Sequence, residues 1–139
     1  MTTLANDKTE YISVEEFKEL SRRGTGTSSS PKPKARSDAE SVPKLTEGEI
    51  LRQIRDFLRL NGWMVVRIHQ SLGSERGIPD LIAIRGGRVC WIEVKTAKGK
   101  LSKFQERFLQ NLEDHGGWWI VARSVEDVEH LGPREKGGK

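Results

Sequence analysis

Three charged residues sit where apolar strands usually exclude charge. Asp80 lies in the run PDLIAIR, residues 79–85, while Glu93 and Lys95 lie in RVCWIEVK, residues 88–95. Glu93 and Lys95 are two apart, so a strand projects them from one face, with Val89 and Trp91 before them and Cys90, Ile92 and Val94 on the other. Gly86-Gly87 reads as a tight two-residue hairpin turn. Counting outward from it, residue 85 faces 88 and residue 80 faces 93, which makes the two carboxylates cross-strand neighbours. Like charges placed so destabilise a bare sheet. A hard divalent cation between them removes the conflict: oxygen ligands suit Mg²⁺ or Mn²⁺, which retain waters and also bind phosphate groups. Such an ion can activate water and stabilise charge developing on a phosphate. Lys95 beside it could orient or deprotonate that water, or neutralise charge. Spacing alone is equally compatible with an ordinary salt bridge from Lys95 to Asp80 or Glu93 on a solvated face.

The elements that must position these residues follow from periodicity and punctuation. Thr46 with Glu49 forms a capping box, and Ile50, Leu51, Ile54, Phe57 and Leu58 form one apolar stripe until Asn61-Gly62 stops the helix. WMVVRIH (63–69) reads as a strand, 71–78 as a polar loop, and 79–85 and 88–95 as the hairpin. Pro79 fits at a strand beginning or edge. After the basic loop TAKGK, Ser102 caps a helix whose Phe104, Phe108, Leu109 and Leu112 are expected to face the core. His115-Gly116-Gly117 ends it, WWIVA (118–122) is a fourth strand, and SVEDVEHL is a short helix capped by Ser124. The order αβββαβα, without internal repeats, implies an α/β (α+β) fold with a mixed central sheet flanked by helices.

The folded domain is expected over residues 45–131. Residues 1–44 are expected to form a flexible tail, Gly/Ser/Pro/Lys-rich from 24 to 44, and 132–139 a disordered C-terminal tail. Within the first tail, Ser13 and Glu16 form a capping box, with Ile12 and Phe17 at staple positions, for a short helix over 13–22. A helix this short is marginal alone, so it either docks or frays.

With 139 residues the chain is sized for one domain, and its net charge of +4 is compatible with a polyanionic partner without requiring one. The single cysteine, Cys90, excludes an intramolecular disulfide, and its apolar surroundings suit a small buried thiol. His69, His115 and His130 show no spacing for zinc or for a cysteine nucleophile. No apolar run approaches the ~20 residues of a membrane span and the N-terminus has no signal-like apolar region, so a cytoplasmic or nuclear location in a reducing compartment is expected, without secretion.

Gly77-Ile78-Pro79-Asp80, Glu93-Val94-Lys95, Gly99-Lys100-Leu101-Ser102 and Gln105 together resemble the PD-(D/E)XK nuclease superfamily, and more narrowly its VRR-NUC (virus-type replication-repair nuclease) branch. The likeness runs from about Thr46 to Val125. It implies a restriction-endonuclease-like core in which Asp80 and Glu93 ligate Mg²⁺, with Mn²⁺ able to substitute, and Lys95 is the catalytic lysine. Gln105 matches the glutamine that reaches the active site from the following helix, although Ser102 and Gln105 also make a capping box. The family places a glutamate on the first helix. Glu49 is the capping residue, whereas Glu47 aligns with the inward stripe, so Glu47 is the expected third metal ligand. Arg67 matches a strand arginine of the branch, which could contact phosphate or simply pair with a carboxylate.

The resemblance makes DNA the expected partner. Arg67, Arg76, Lys98, Lys100 and Lys103, with Lys95 and Arg85 near, form a rim suited to phosphate contact without base readout. Structure-selective cleavage, as by a Holliday-junction resolvase in replication, recombination or repair, is the expectation. Small members of the branch act as homodimers, for which Trp118, Trp119 and the N-terminal helix are candidate contacts. A protein partner recruited through residues 10–23 and a non-catalytic DNA-binding or adaptor module with the same fold are the rival readings.

Overall fold

The computed structural model describes residues 11–23 and 44–131. The linker expected at 24–44, except Lys44, and the tail expected at 132–139 lie outside the described residues. The elements are α1 (Val14–Arg23), α2 (Glu47–Leu60), β1 (Met64–Arg67), β2 (Leu81–Arg85), β3 (Arg88–Val94), α3 (Lys103–Asp114), β4 (Trp118–Ala122) and a 3-10 helix (Val125–Leu131). This is a mixed α+β fold: the sheet order is β1-β2-β3-β4, with β1, β2 and β3 antiparallel and β4 parallel to β3.

Gly86 and Gly87 take φ of 59° and 78°, the double positive pair of a two-residue turn whose twist matches its strands. The resulting register pairs Arg85 with Arg88 and Leu81 with Ile92, so the outward count from the turn holds. It sorts the strands into two faces. Val65, Leu81, Ala83, Cys90, Ile92, Val94 and Ala122 line one, and they form a single buried core with α1, α2 and the 3-10 helix.

In α2 the stripe Ile50, Leu51, Ile54, Phe57 and Leu58 is buried as its periodicity requires. Asn61 caps its end with φ −96°, and Gly62 supplies the positive φ that follows. The strand expected at 63–69 is confined to Met64–Arg67; Trp63, just before it, is buried, and its indole Nε1 donates to Leu131 O at 2.8 Å.

The short helix expected at 13–22 docks. Val14 and Phe17 are buried, and the Phe17 ring meets Phe57 edge-on at 5.7 Å. The wholly buried Asn61 accepts from Ile12 N at 2.8 Å and donates to Phe57 O at 3.0 Å, which satisfies its amide and ties the lead-in of α1 to the end of α2. Lys18 pairs with Glu126 at 2.7 Å, but both are half exposed and the pair adds little.

Two expectations need correction. The C-terminal helix is a 3-10 helix; its buried residues Val125, Val128 and Leu131 recur every third position, the period at which a 3-10 helix stacks side chains on one face. In α3 only Leu109 is buried, and Phe104 is 46% exposed. α3 lies on the second sheet face, over β3 and β4, where Phe108 meets Trp91 at 5.8 Å. No described helix covers the β1–β2 side of that face, so the apolar side of α3 has only part of a surface to pack on.

Candidate active site

Asp80 immediately precedes β2, and its carbonyl accepts from Ile68 N at 2.8 Å, extending the β1–β2 ladder by one bond. Its side chain reaches across the hairpin, where Oδ2 accepts from Val94 N at 2.8 Å. That bond fixes the Asp80 carboxylate beside Glu93, the neighbour that the register requires. Lys95 continues β3, its amide donating to Ala122 O at 3.0 Å, and its half-buried side chain leaves from the same face as Glu93.

Glu93 is 2% exposed. Gln105 Nε2 donates to Glu93 Oε1 at 2.8 Å, whereas Oε2 is buried with no hydrogen-bond partner among the described residues. Burial is the main reason that the Glu93 carboxyl is pushed up to about 8; the adjacent Asp80 adds repulsion of the charged form and a hydrogen bond favouring the protonated one. Lys95 opposes this shift and Glu47 adds to it. Two ionised carboxylates cannot donate to each other, so the charged form of Glu93 leaves one oxygen without a hydrogen-bond donor. Among the described residues Lys95 forms no ion pair with either carboxylate, so the ordinary salt-bridge reading lacks its contact.

Gln105 makes two sets of contacts at once. Its Oε1 accepts from Ser102 N at 2.8 Å and its own amide donates to Ser102 Oγ at 3.2 Å, completing the capping box, while Nε2 remains for Glu93. One side chain therefore locks the start of α3 to the carboxylate.

The first-helix glutamates differ in what they touch. Glu49 is committed to its cap: its carboxylate accepts from Thr46 N at 2.8 Å, and this backbone bond, then the Thr46 hydroxyl, holds its carboxyl below the ordinary value. Glu47 is exposed, and its charge is felt at Glu93. Among the described residues no three His, Cys, Asp or Glu side chains come together as a group that could hold a metal. The site at hand is a pair of carboxylates with an orphaned oxygen, and this hard donor set fits Mg²⁺ or Mn²⁺ bound with waters.

Arg67 pairs with Leu81, which places it on the core face, opposite Glu93; it is exposed and makes no ion pair among the described residues. Lys98, Lys100 and Lys103 are exposed around the turn and the start of α3. Arg76 lies with its guanidinium 5.0 Å from the Phe104 ring centroid, beside a cavity of about 760 Å³ between the 74–76 loop and α3. Arg85 instead covers the Tyr11 ring at 4.4 Å.

One residue of the Gly77-Ile78-Pro79-Asp80 run has a role that its sequence position does not reveal. Gly77 has φ +80°, and a Cβ there would run into the Phe104 carbonyl and the Gln105 amide. The loop before Asp80 thus touches the first turn of α3 backbone to backbone, bringing the strand carboxylate and the helix glutamine into one site. A glycine two residues before a Pro-Asp pair hints at unusual backbone geometry, but its contact with residue 104 is a long-range fact.

No curated protein matches the sequence. Among solved structures, one described as "VRR_NUC domain" superposes with a TM-score of 0.55 at 23% identity, covering 63% of this chain and 95% of its own. A second, "VRR_NUC domain protein", gives 0.53 at 20% identity, covering 64% and 86%. The archaeal Holliday junction resolvase (Hjc) family matches residues 46–118, more than half of the chain, a span containing Asp80, Glu93, Lys95 and Gln105. The chain therefore belongs to the archaeal Holliday junction resolvase (Hjc) family of nucleases and has the fold of a VRR_NUC domain.

Proposed function

We propose that the protein is a divalent-metal-dependent, structure-selective DNA endonuclease that hydrolyses phosphodiester bonds in branched DNA, with the four-way junction as its leading substrate and recombination or repair as its setting. The observation that carries this reading is the Asp80–Glu93 pair, whose charged form leaves Glu93 Oε2 buried without a hydrogen-bond donor, with only the charge of Lys95 to offset it. Asp80 and Glu93 would hold Mg²⁺ or Mn²⁺, with Glu47 adding negative charge to the site. The bound ion supplies Lewis-acid stabilisation of phosphate charge and a more acidic water.

The chain's own residues do the rest. The Val94 amide fixes one Asp80 oxygen and Gln105 fixes one Glu93 oxygen, so each carboxylate presents its other oxygen to the site. Lys95 orients the attacking water or offsets negative charge as it builds on phosphate. Lys98, Lys100, Lys103 and Arg76 would contact flanking phosphates, with Arg67 reaching the backbone from the opposite side of the sheet.

A homodimer would set two such sites on opposing strands of a junction. The uncovered sheet face offers the surface for it: Met64, Val66 and Val89 are 62%, 39% and 40% exposed and share one face. α1 spends Val14 and Phe17 on its own core, which supports a structural use for that segment over recruitment of a partner.

The test is cleavage of a labelled four-way junction, a flap and a linear duplex of matched sequence by the full chain in Mg²⁺. Cutting of opposed junction strands, abolished by chelation, is expected. Equal cutting of all three would defeat structure selectivity. Binding without cleavage in Mg²⁺ and in Mn²⁺ would replace the reading with a non-catalytic DNA-binding module.

A further inference from the structure

The turn that follows Lys95 is held by a residue 28 positions away in the sequence. Arg123 stands just past β4, and its Nη1 donates to Gly99 O at 2.6 Å and Thr96 O at 2.7 Å, with Ala97 O at 3.4 Å. Three carbonyls of a single turn thus converge on one cationic nitrogen, a stronger arrangement than neutral hydrogen bonds would give. The turn is closed within itself by Gly99 N donating to Thr96 O at 3.1 Å. Arg123 is fixed in its turn: its amide donates to Asp127 Oδ2 at 2.8 Å, and the β3–β4 ladder reaches the residue before it through Lys95 N and Ala122 O.

The turn rests on the lysine. A Cβ at Gly99 would stand 3.4 Å from Lys95 Cδ and 3.1 Å from Thr96 Oγ1, so the bare backbone of residue 99 lies against the Lys95 stem. Lys95 is therefore held at its amide by Ala122 and along its side chain by a turn that Arg123 gathers. The side chain forms no ion pair among the described residues that could orient it instead.

We propose that Arg123 is a positioning residue: it clamps the 96–99 turn over the stem of Lys95, so that the ammonium is directed to the Asp80–Glu93 pair. The consequence for cleavage rests on the nuclease reading above; the clamp itself does not. Long side chains carry many rotamers, and a lysine without a partner at its tip needs its stem confined to act from one position.

Arg123→Met and Arg123→Lys in the full chain test this by two readouts. Hydrogen exchange of the Gly99 amide, which donates to Thr96 O within the turn, reports the clamp without any cleavage: Arg123→Met should speed it at least ~10-fold while the β2 amides stay protected. Under cleavage conditions Arg123→Met should lower kcat by ~10- to 100-fold with KM little changed. Arg123→Lys should restore both, since an ammonium offers three N–H donors to the three carbonyls. A turn that stays protected in Arg123→Met overturns the clamp. A raised KM at unchanged kcat assigns Arg123 to DNA contact and also overturns the proposal. If Arg123→Met loses protection throughout the sheet, Arg123→Lys decides: a folded, protected turn with kcat still lost defeats the positioning role. Wild-type protein that cuts no DNA would refute the nuclease reading while leaving the exchange result to judge the clamp.

Discussion

Gln105 donates its side-chain amide to Glu93 at 2.8 Å while its side-chain carbonyl caps the helix that carries it. The two jobs can be separated by substitution. Gln105→Ala loses both, and should cost about 1–2 kcal/mol in denaturant unfolding as well as reducing cleavage. Gln105→Glu keeps a good capping residue but sets a carboxylate against Glu93. Cleavage at neutral pH should fall at least ~10-fold, with unfolding at pH 5 less affected than in Gln105→Ala.

Glu93 should make the metal-free protein less stable as pH rises. Its folded-state pKa, about 8, lies above the ordinary 4.5, so between these values the folded chain holds a proton that the unfolded chain has released. Stability from this group is full below the unfolded value and declines through pH 8, by an amount on the order of a few kcal/mol. Thermal melting in chelator across pH 5–9 should show the decline, and Glu93→Gln should flatten it. Added Mn²⁺ should stabilise the wild type most at the alkaline end, where it no longer competes with a proton.

The docking of α1 makes it part of the domain's stability. Phe17→Ala empties a site against Phe57 and should cost about 3–5 kcal/mol. Removal of residues 1–23 should cost more, since it also leaves Asn61 Oδ1 without the Ile12 amide. α1 packs on the face opposite Glu93, so cleavage per folded molecule at low temperature should not change. A selective loss of activity without loss of stability would contradict this placement.

Gly77→Ala should be severe for its size. The left-handed φ and the collision with the Phe104 and Gln105 backbone both oppose a Cβ, so a loss above ~2 kcal/mol is expected in urea unfolding. Because the strain falls between Asp80 and α3, protein that remains folded should also cleave more slowly.

The hairpin could be read directly because its register depends on local facts: two glycines fix the turn, and a period of two then decides which side chains share a face. Asp80 opposite Glu93, and Glu93 with Lys95, follow from counting. The capping box of Gln105 is local and could be read from Ser102 and its spacing, whereas its reach toward the site rested on the family resemblance, and the bond to Glu93 appears only in the fold. What could not be read are contacts between distant segments. Nothing local tells that Gly77 touches Phe104, that Ile12 finds Asn61, or that Arg123 gathers the 96–99 turn. The exposure of Phe104 escaped the helical pattern because an apolar stripe states what a helix can bury, while the partner surface decides what it does bury. The 3-10 helix shows a shorter-range ambiguity: seven residues with apolar positions every three suit either helical period until packing selects one.

If the Asp80–Glu93 pair binds a divalent metal and cleaves phosphodiesters, the charge on Glu93 is indispensable. The single-turnover cleavage rate of a labelled four-way junction in Mg²⁺, by the wild type and by Glu93→Gln, reads this. The substitution preserves shape while removing the charge that burial makes costly and replacing one carboxylate oxygen with an amide nitrogen. The expected result is a folded variant, at least as stable as the wild type at pH 8, whose rate is lower by about 100-fold or more. A folded Glu93→Gln protein that cuts the junction at the wild-type rate would remove the carboxylate pair from the chemistry.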